Sequence, residues 1–226
     1  MVKKEFPNNK KENLTPQAQG ASSKSSWLSN KAFGIIKFIL GTCLLSVAYS
    51  STVSFFNEFS AVNKPLQNYF WSGLISLVLV YLFVWEPVII YQRGHRVLEI
   101  IFSFFKPLLN VAPNLLPIHT IIALATYGIL SIFIKADWLI KLFVFLFGFT
   151  LALHLVFAAK SIRVKKDFLR ANYIFGFSLI YIINLMLLAF CLNLIFAEFS
   201  FVNYFNNTFQ IAKNIFYSVF KQLFLS

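Results

Sequence analysis

Glu86, His95, Glu99 and His154 are the side chains of this 226-residue chain whose chemistry packing explains least. All four lie in or beside long apolar runs. An ionisable group at the centre of a membrane helix costs at least about 2.5–3.5 kcal/mol, so each needs a reason. Glu86 ends seventeen uncharged residues, Tyr69 to Trp85, and precedes Pro87. Such a carboxylate can carry a proton, hold an ion or support a metal ligand; the bland alternative pairs it with Arg93 or Arg96. His95 and Glu99 are spaced i, i+4, which puts them on one helical face within reach of a shared ion. His154 falls inside an apolar run, where its imidazole must find a hydrogen-bond partner. Together the four make a candidate intramembrane polar site for a metal or a proton. Taken singly, a membrane histidine, His119 included, reads as a hydrogen-bonding group between helices, and His95, beside two arginines, as an interfacial residue.

Other polar residues in the apolar runs fit packing. Asn184, Asn193, Thr126 and Thr150 can bond across helices, and Gly128, Gly148 and Gly176 permit close backbone approach. Cys43 and Cys191 show neither metal spacing nor a disulfide framework. Asp137, Glu198, Trp71, Trp85 and Trp138 fall near the ends of runs and read as interface anchors. The chain has no H-E-x-x-H, no G-x-S-x-G, no phosphate-binding G-x-x-x-x-G-K and no C-x-x-C. The familiar metalloprotease, hydrolase and nucleotide-driven classes therefore have no motif here.

The elements that must position these groups are helices in lipid. Residues are 58% hydrophobic and only 12% charged. Soluble domains carry about twice that charged fraction. Five apolar runs stand out: Phe33–Phe56, Tyr69–Tyr91, Ile118–Ile134, Leu139–Ala159 and Ile174–Ala197. Each approaches the ~20 residues that cross a ~30 Å hydrocarbon layer as a helix. The expectation is an all-α, polytopic membrane protein with about five spans and the bilayer as its first partner. Residues 1–32 read as a disordered basic tail, 33–200 as the membrane domain, and 201–226 as a C-terminal amphipathic helix lying in the interface plane.

The formal net charge of +12 sits in the tail and in loops flanking apolar runs, not on a folded polar face. That placement argues against nucleic acid and for anionic headgroups. Arg93, Arg96, Lys160, Arg163, Lys165, Lys166 and Arg170 are the candidate headgroup contacts. They share a side with the lysines of the tail, whereas Lys64, Lys135, Lys141, Lys213 and Lys221 fall on the other. The positive-inside rule then puts the N-terminus in the cytoplasm and the C-terminus outside, in an inner or plasma membrane. Pro107, Pro113 and Pro117 interrupt the stretch from His95 to Pro117, which reads as re-entrant or interfacial rather than as a sixth span. At the end of the chain Phe205, Phe209, Ala212, Phe216, Phe220 and Leu223 recur at helical spacing opposite Asn206, Gln210, Lys213, Asn214 and Lys221. That face suits a membrane surface or a membrane-protein partner.

The order of several short segments has a parallel. Trp85-Glu86-Pro87-Val88 leads through Gly94-His95-Arg96-Val97-Leu98-Glu99 to Ala112-Pro113 and Pro117-Ile118-His119-Thr120. Gly148 to Leu155, Asp167 and Ile180 to Asn184 follow. Over about residues 84–190 this succession resembles bacterial intramembrane zinc metallopeptidases of the site-2-protease type. The resemblance implies a zinc site at a Gly-His-Glu-x-x-x-His core. Here Arg96 stands where that core has its general base and Glu99 where it has its second histidine. A guanidinium does not deprotonate near neutral pH and repels a neighbouring dication. The resemblance thus implies a relative without catalysis and without cofactor, working by binding membrane or protein partners. Two other readings stand beside it: a small transporter or channel component using Glu86 and His154, and an active metal enzyme using His95, Glu99 and His154.

Overall fold

The computed structural model describes residues 16–84, 87–101, 103, 115–164 and 173–224, and their side chains except those of 16–33, 163, 164 and 223. The chain divides into two units, 1–36 and 37–226. The described residues form seven α-helices: α1 Pro16–Phe59, α2 Lys64–Leu79, α3 Val88–Ile101, α4 Ile118–Phe133, α5 Asp137–Val164, α6 Tyr173–Ile195 and α7 Phe201–Phe224. A π-helical turn, Val80–Val84, continues α2.

Two expectations change at once. The tail expected to lack structure to residue 32 is helical from Pro16. The second apolar run does not continue to Tyr91, because Pro87 cannot extend the helix and Tyr91 belongs to α3.

Four helices are long and apolar enough to cross a membrane: Gly34–Phe59, Lys64–Val84, Asp137–Ile162 and Tyr173–Ile195. The fifth run gives α4, only 16 residues long. At 1.5 Å per residue that is about 24 Å, short of the ~30 Å layer.

Within residues 37–226 the helices pack around a core that is richest in aromatics at one end. Phe55, Phe59, Phe70, Phe143, Phe147, Phe199 and Tyr204 are buried there, with Leu139, Leu192 and Phe196. This phenylalanine end gathers the α1–α2 turn, the α4–α5 turn and the α6–α7 turn. Toward the opposite end Leu77, Tyr91, Ala152, Leu153 and Phe157 form a second cluster, with Tyr81 and Val88 against it. The exposed Arg93, Arg96 and Lys160 lie on this far side of the bundle.

α2 and α5 cross backbone to backbone. A methyl on Gly73 would strike the Phe145 carbonyl, and one on Gly148 would strike the Phe70 carbonyl. Gly148 thus does what its sequence context suggested. Gly128 faces open space and contributes no such contact.

The α1–α6 seam is held differently. Thr52 Oγ1 shares a hydrogen bond of 2.8 Å with the Tyr181 phenol, and Ser51 Oγ bonds the Tyr204 phenol of α7. Ser50, Ser51 and Ser54 are all buried on α1. Small hydroxyls let helices approach while bonding backbone or a neighbour, which suits an apolar surround.

α7 starts under control of its neighbours. The Asn203 N–H donates to Ser200 Oγ at 3.2 Å, and the Phe201 N–H to Asn193 Oδ1 at 2.9 Å. The Ser200 N–H points at Glu58 Oε2, 3.4 Å away. An acceptor and a carboxylate at a helix start satisfy free amides and suit the dipole.

Candidate functional site

Four helices meet where α4 begins, about halfway down α5. Thr120, in the first turn of α4, shares a 3.0 Å hydrogen bond with Thr150. Thr150 is midway along the apolar segment Asp137–Ile162. Asn184 of α6 donates from Nδ2 to the Leu115 carbonyl at 3.1 Å and to its own Ile180 carbonyl at 2.8 Å. α4 is therefore a short helix that starts inside the bundle and is pinned there from two sides.

α3 supplies the third side. It buries Tyr91, Gly94 and Leu98 on one face, as i, i+3, i+7 spacing requires. His119 reaches across from α4, and its Nε2–H donates to the Ile90 carbonyl at 2.9 Å. The imidazole lies in the notch left by Gly94: a methyl there would overlap Cε1 and Nε2 of His119 and the Ile118 side chain. A carbonyl only accepts, so this bond assigns the proton to Nε2 and leaves Nδ1 with its lone pair. His119 Nδ1 is buried without a hydrogen-bond partner among the described residues.

Tyr91 packs its ring against both remaining histidines, 5.9 Å from His154 and 6.0 Å from His95 between ring centroids. The stacked Phe157, 5.3 Å away, completes the surround. The Tyr91 hydroxyl is buried and has no partner among the described residues. His154 is 1% exposed, so it is part of the interior and not of a surface.

The structure thus brings both His95 and His154 against one tyrosine and adds His119 at the neighbouring α3–α4 contact. Glu99 is exposed on α3. Glu86 lies outside the described residues. Among the described residues, no group of three His, Cys, Asp or Glu side chains is placed to hold a metal ion. Of the candidate headgroup contacts, Arg93, Arg96 and Lys160 are exposed and Arg163 is within α5. Lys165, Lys166 and Arg170 lie outside the described residues, as do Pro107, Pro113 and Asp167.

His119 and Gly94 are the residues that sequence reading undervalued. Nothing in the chain order links them, because the notch for the imidazole exists only once α3 and α4 are packed together.

A second feature is apolar. Between α1 and α7 runs an open groove of about 470 Å³, lined by Val47, Phe205, Thr208, Phe209, Ala212 and Phe216, with Lys213 at its lip.

By length and composition, four helices make this a multi-pass helical membrane protein. No family model, curated protein or solved structure matches the chain.

Proposed function

We propose that this chain is a non-enzymatic membrane protein that works by binding partners within and at the bilayer. In this reading five apolar helices are embedded, α4 being the short one, and the end bearing Arg93, Arg96 and Lys160 faces the cytoplasm. The reading is carried by the use the interior makes of its polar groups. Thr120, Thr150, Asn184 and His119 bond one another or backbone carbonyls of neighbouring helices. Their hydrogen bonds join helices, which is the ordinary employment of such residues in lipid. The cytoplasmic side follows from the segregated cations, and the exposed arginines suit anionic headgroups.

Side-selective thiol labelling tests the arrangement. With Cys43 and Cys191 replaced by Ser, Lys160→Cys and Lys135→Cys should react from opposite faces of the membrane. Reaction from the same face would remove the arrangement.

Descent from the site-2-type metallopeptidases belongs to the same proposal, with Arg96 and Glu99 accounting for lost catalysis. Purified protein should then carry no stoichiometric zinc and cleave no membrane peptide. One zinc per chain would replace this reading with the active enzyme.

A transporter reading has one observation of its own. The Tyr91 hydroxyl and His119 Nδ1 are a buried donor and acceptor without partners among the described residues, and the Tyr91 ring packs against His154, a short distance in sequence from Glu86. Such groups can pass a proton. Proton or solute flux in proteoliposomes, abolished by Glu86→Gln or His154→Asn, would establish it in place of the binding role.

A further inference from the structure

α7 does not lie across the end of the bundle; its contacts lead back down α1. The residues just before it meet Glu58 and Phe55, through the Ser200 N–H and the Phe199 ring. Tyr204 meets Ser51, and residues 205–216 face Val47 across the groove. As α7 advances, its neighbours on α1 recede from 58 to 51 to 47. Val47 is twelve residues from the end of the apolar segment Gly34–Phe59. That is about 18 Å along the helix, more than half of a ~30 Å hydrocarbon layer. Yet α7 is not one of the four helices apolar enough to cross.

The reason is a stripe of polar residues. Asn203, Asn207, Gln210, Asn214, Tyr217 and Lys221 follow one another at spacings of four, three, four, three and four, and every one is exposed. This is the 3.5-residue repeat that forms a straight seam along a helix meeting a second helix. Exposed Phe205, Phe209, Phe216 and Phe220 lie away from that stripe, the first three toward the groove beside α1, and lipid can cover them. Lipid cannot cover the amides. Backbone and side-chain polar groups in hydrocarbon must be bonded within protein or reached by water.

We propose that the seam is covered by the α7 of a second copy of this chain, giving a parallel helix pair about a two-fold axis normal to the membrane. This rests on the membrane-binding reading above and names its partner. A carboxamide carries both donor and acceptor, so Asn207, Gln210 and Asn214 can each bond their own counterparts, as an interface related by a two-fold axis requires. A different protein would need a matching polar stripe of its own. Lys221, the like-charged member of the seam, comes at the last turn of α7, where its ammonium can leave the apolar layer. Descent of α7 also moves Lys221 from the side of Lys135 to that of Lys160. The segregation of cations becomes sharper, and the C-terminus is brought to the cytoplasmic side.

The test uses the full chain in bilayers, with Cys43 and Cys191 replaced by Ser. Single cysteines at Asn207, Gln210 and Asn214 should crosslink between copies under mild oxidation, at least tenfold more than cysteines at Phe209 and Phe216. Lys221→Cys should label from the same face as Lys160→Cys. The triple change Asn207→Leu, Gln210→Leu and Asn214→Leu should raise the dimer dissociation constant at least tenfold in quantitative single-molecule photobleaching. If Lys135→Cys and Lys160→Cys label from opposite faces but Lys221→Cys labels with Lys135→Cys, the membrane reading survives and this inference falls. Crosslinking equal on both faces of α7, or absent throughout, would also overturn it. So would free reaction of all three seam cysteines with a water-soluble, membrane-impermeant thiol reagent, which would mean that water and not protein covers the amides.

Discussion

α2 meets α5 as a parallel neighbour and α1 meets α7 as an antiparallel one, and the two pairs are built on opposite principles. The first uses glycine so that main chains touch, and no side chain intervenes at the crossing. The second uses a serine–tyrosine hydrogen bond near one end and then opens into a groove. In lipid there is no hydrophobic force pressing helices together, so contact must come from close packing or from polar bonds. The α2–α5 pair relies on packing and leaves nothing unused. The α1–α7 pair relies on a few bonds and leaves a polar face and an apolar groove available.

That contrast can be broken most severely at the crossing. Gly148→Val should cost about 3 kcal/mol or more, because the Phe70 carbonyl cannot move without α2. A reversible unfolding titration in detergent micelles checks it, and Gly73→Val should behave alike. Gly94→Ala should cost about 1–2 kcal/mol by the same argument, since an imidazole is more easily displaced than a backbone. It should also release His119 from the Ile90 carbonyl, visible as a changed tautomer in the nitrogen NMR spectrum of that ring. In the looser pair, Tyr204→Phe should cost about 1 kcal/mol, the net value of a hydrogen bond whose buried partner, Ser51, is left behind. Ser200→Ala should cost about 1 kcal/mol through its cap on α7, and should fray that helix without disturbing α2 or α5. Gly128→Ala should be the smallest effect and of opposite sign, a gain of up to about 1 kcal/mol in a helix position that faces open space. A loss at Gly128 as large as at Gly148 would erase the distinction between packed and unpacked glycines.

Much of the helix content could be read from hydropathy alone, and the misreadings are instructive. The third, fourth and fifth runs appear as helices close to their expected limits. The second run was read too far because hydropathy counts Val88 to Tyr91 as apolar and is blind to the geometry imposed by Pro87. α4 looked like an ordinary span because its composition is apolar throughout; its shortness matters only beside α5, where Thr120 meets Thr150 halfway down. The C-terminal helix was read correctly as amphipathic. Its placement was not legible, because a Phe face and an Asn face look the same in sequence whether the helix lies along a surface or beside α1.

The candidate site divides in the same way. His154 stood out by itself, since an imidazole within an apolar run needs a partner wherever the helix goes. Its neighbour Tyr91 carried no signal, being one tyrosine among nine. The pairing of Gly94 with His119 joins residues twenty-five apart, and sequence holds no record of which helices touch.

Local chemistry, then, is what the order of residues determined here: helices from apolar runs, and cations gathered on chosen loops. Each depends on interactions within a few residues or on transfer from water to lipid, which a residue carries with it. Only the packed chain decided that Gly148 is a contact and Gly128 is not, that His119 has a notch, and that α7 returns along α1. Those outcomes depend on the shape of surfaces brought together from distant positions, and shape exists only after folding.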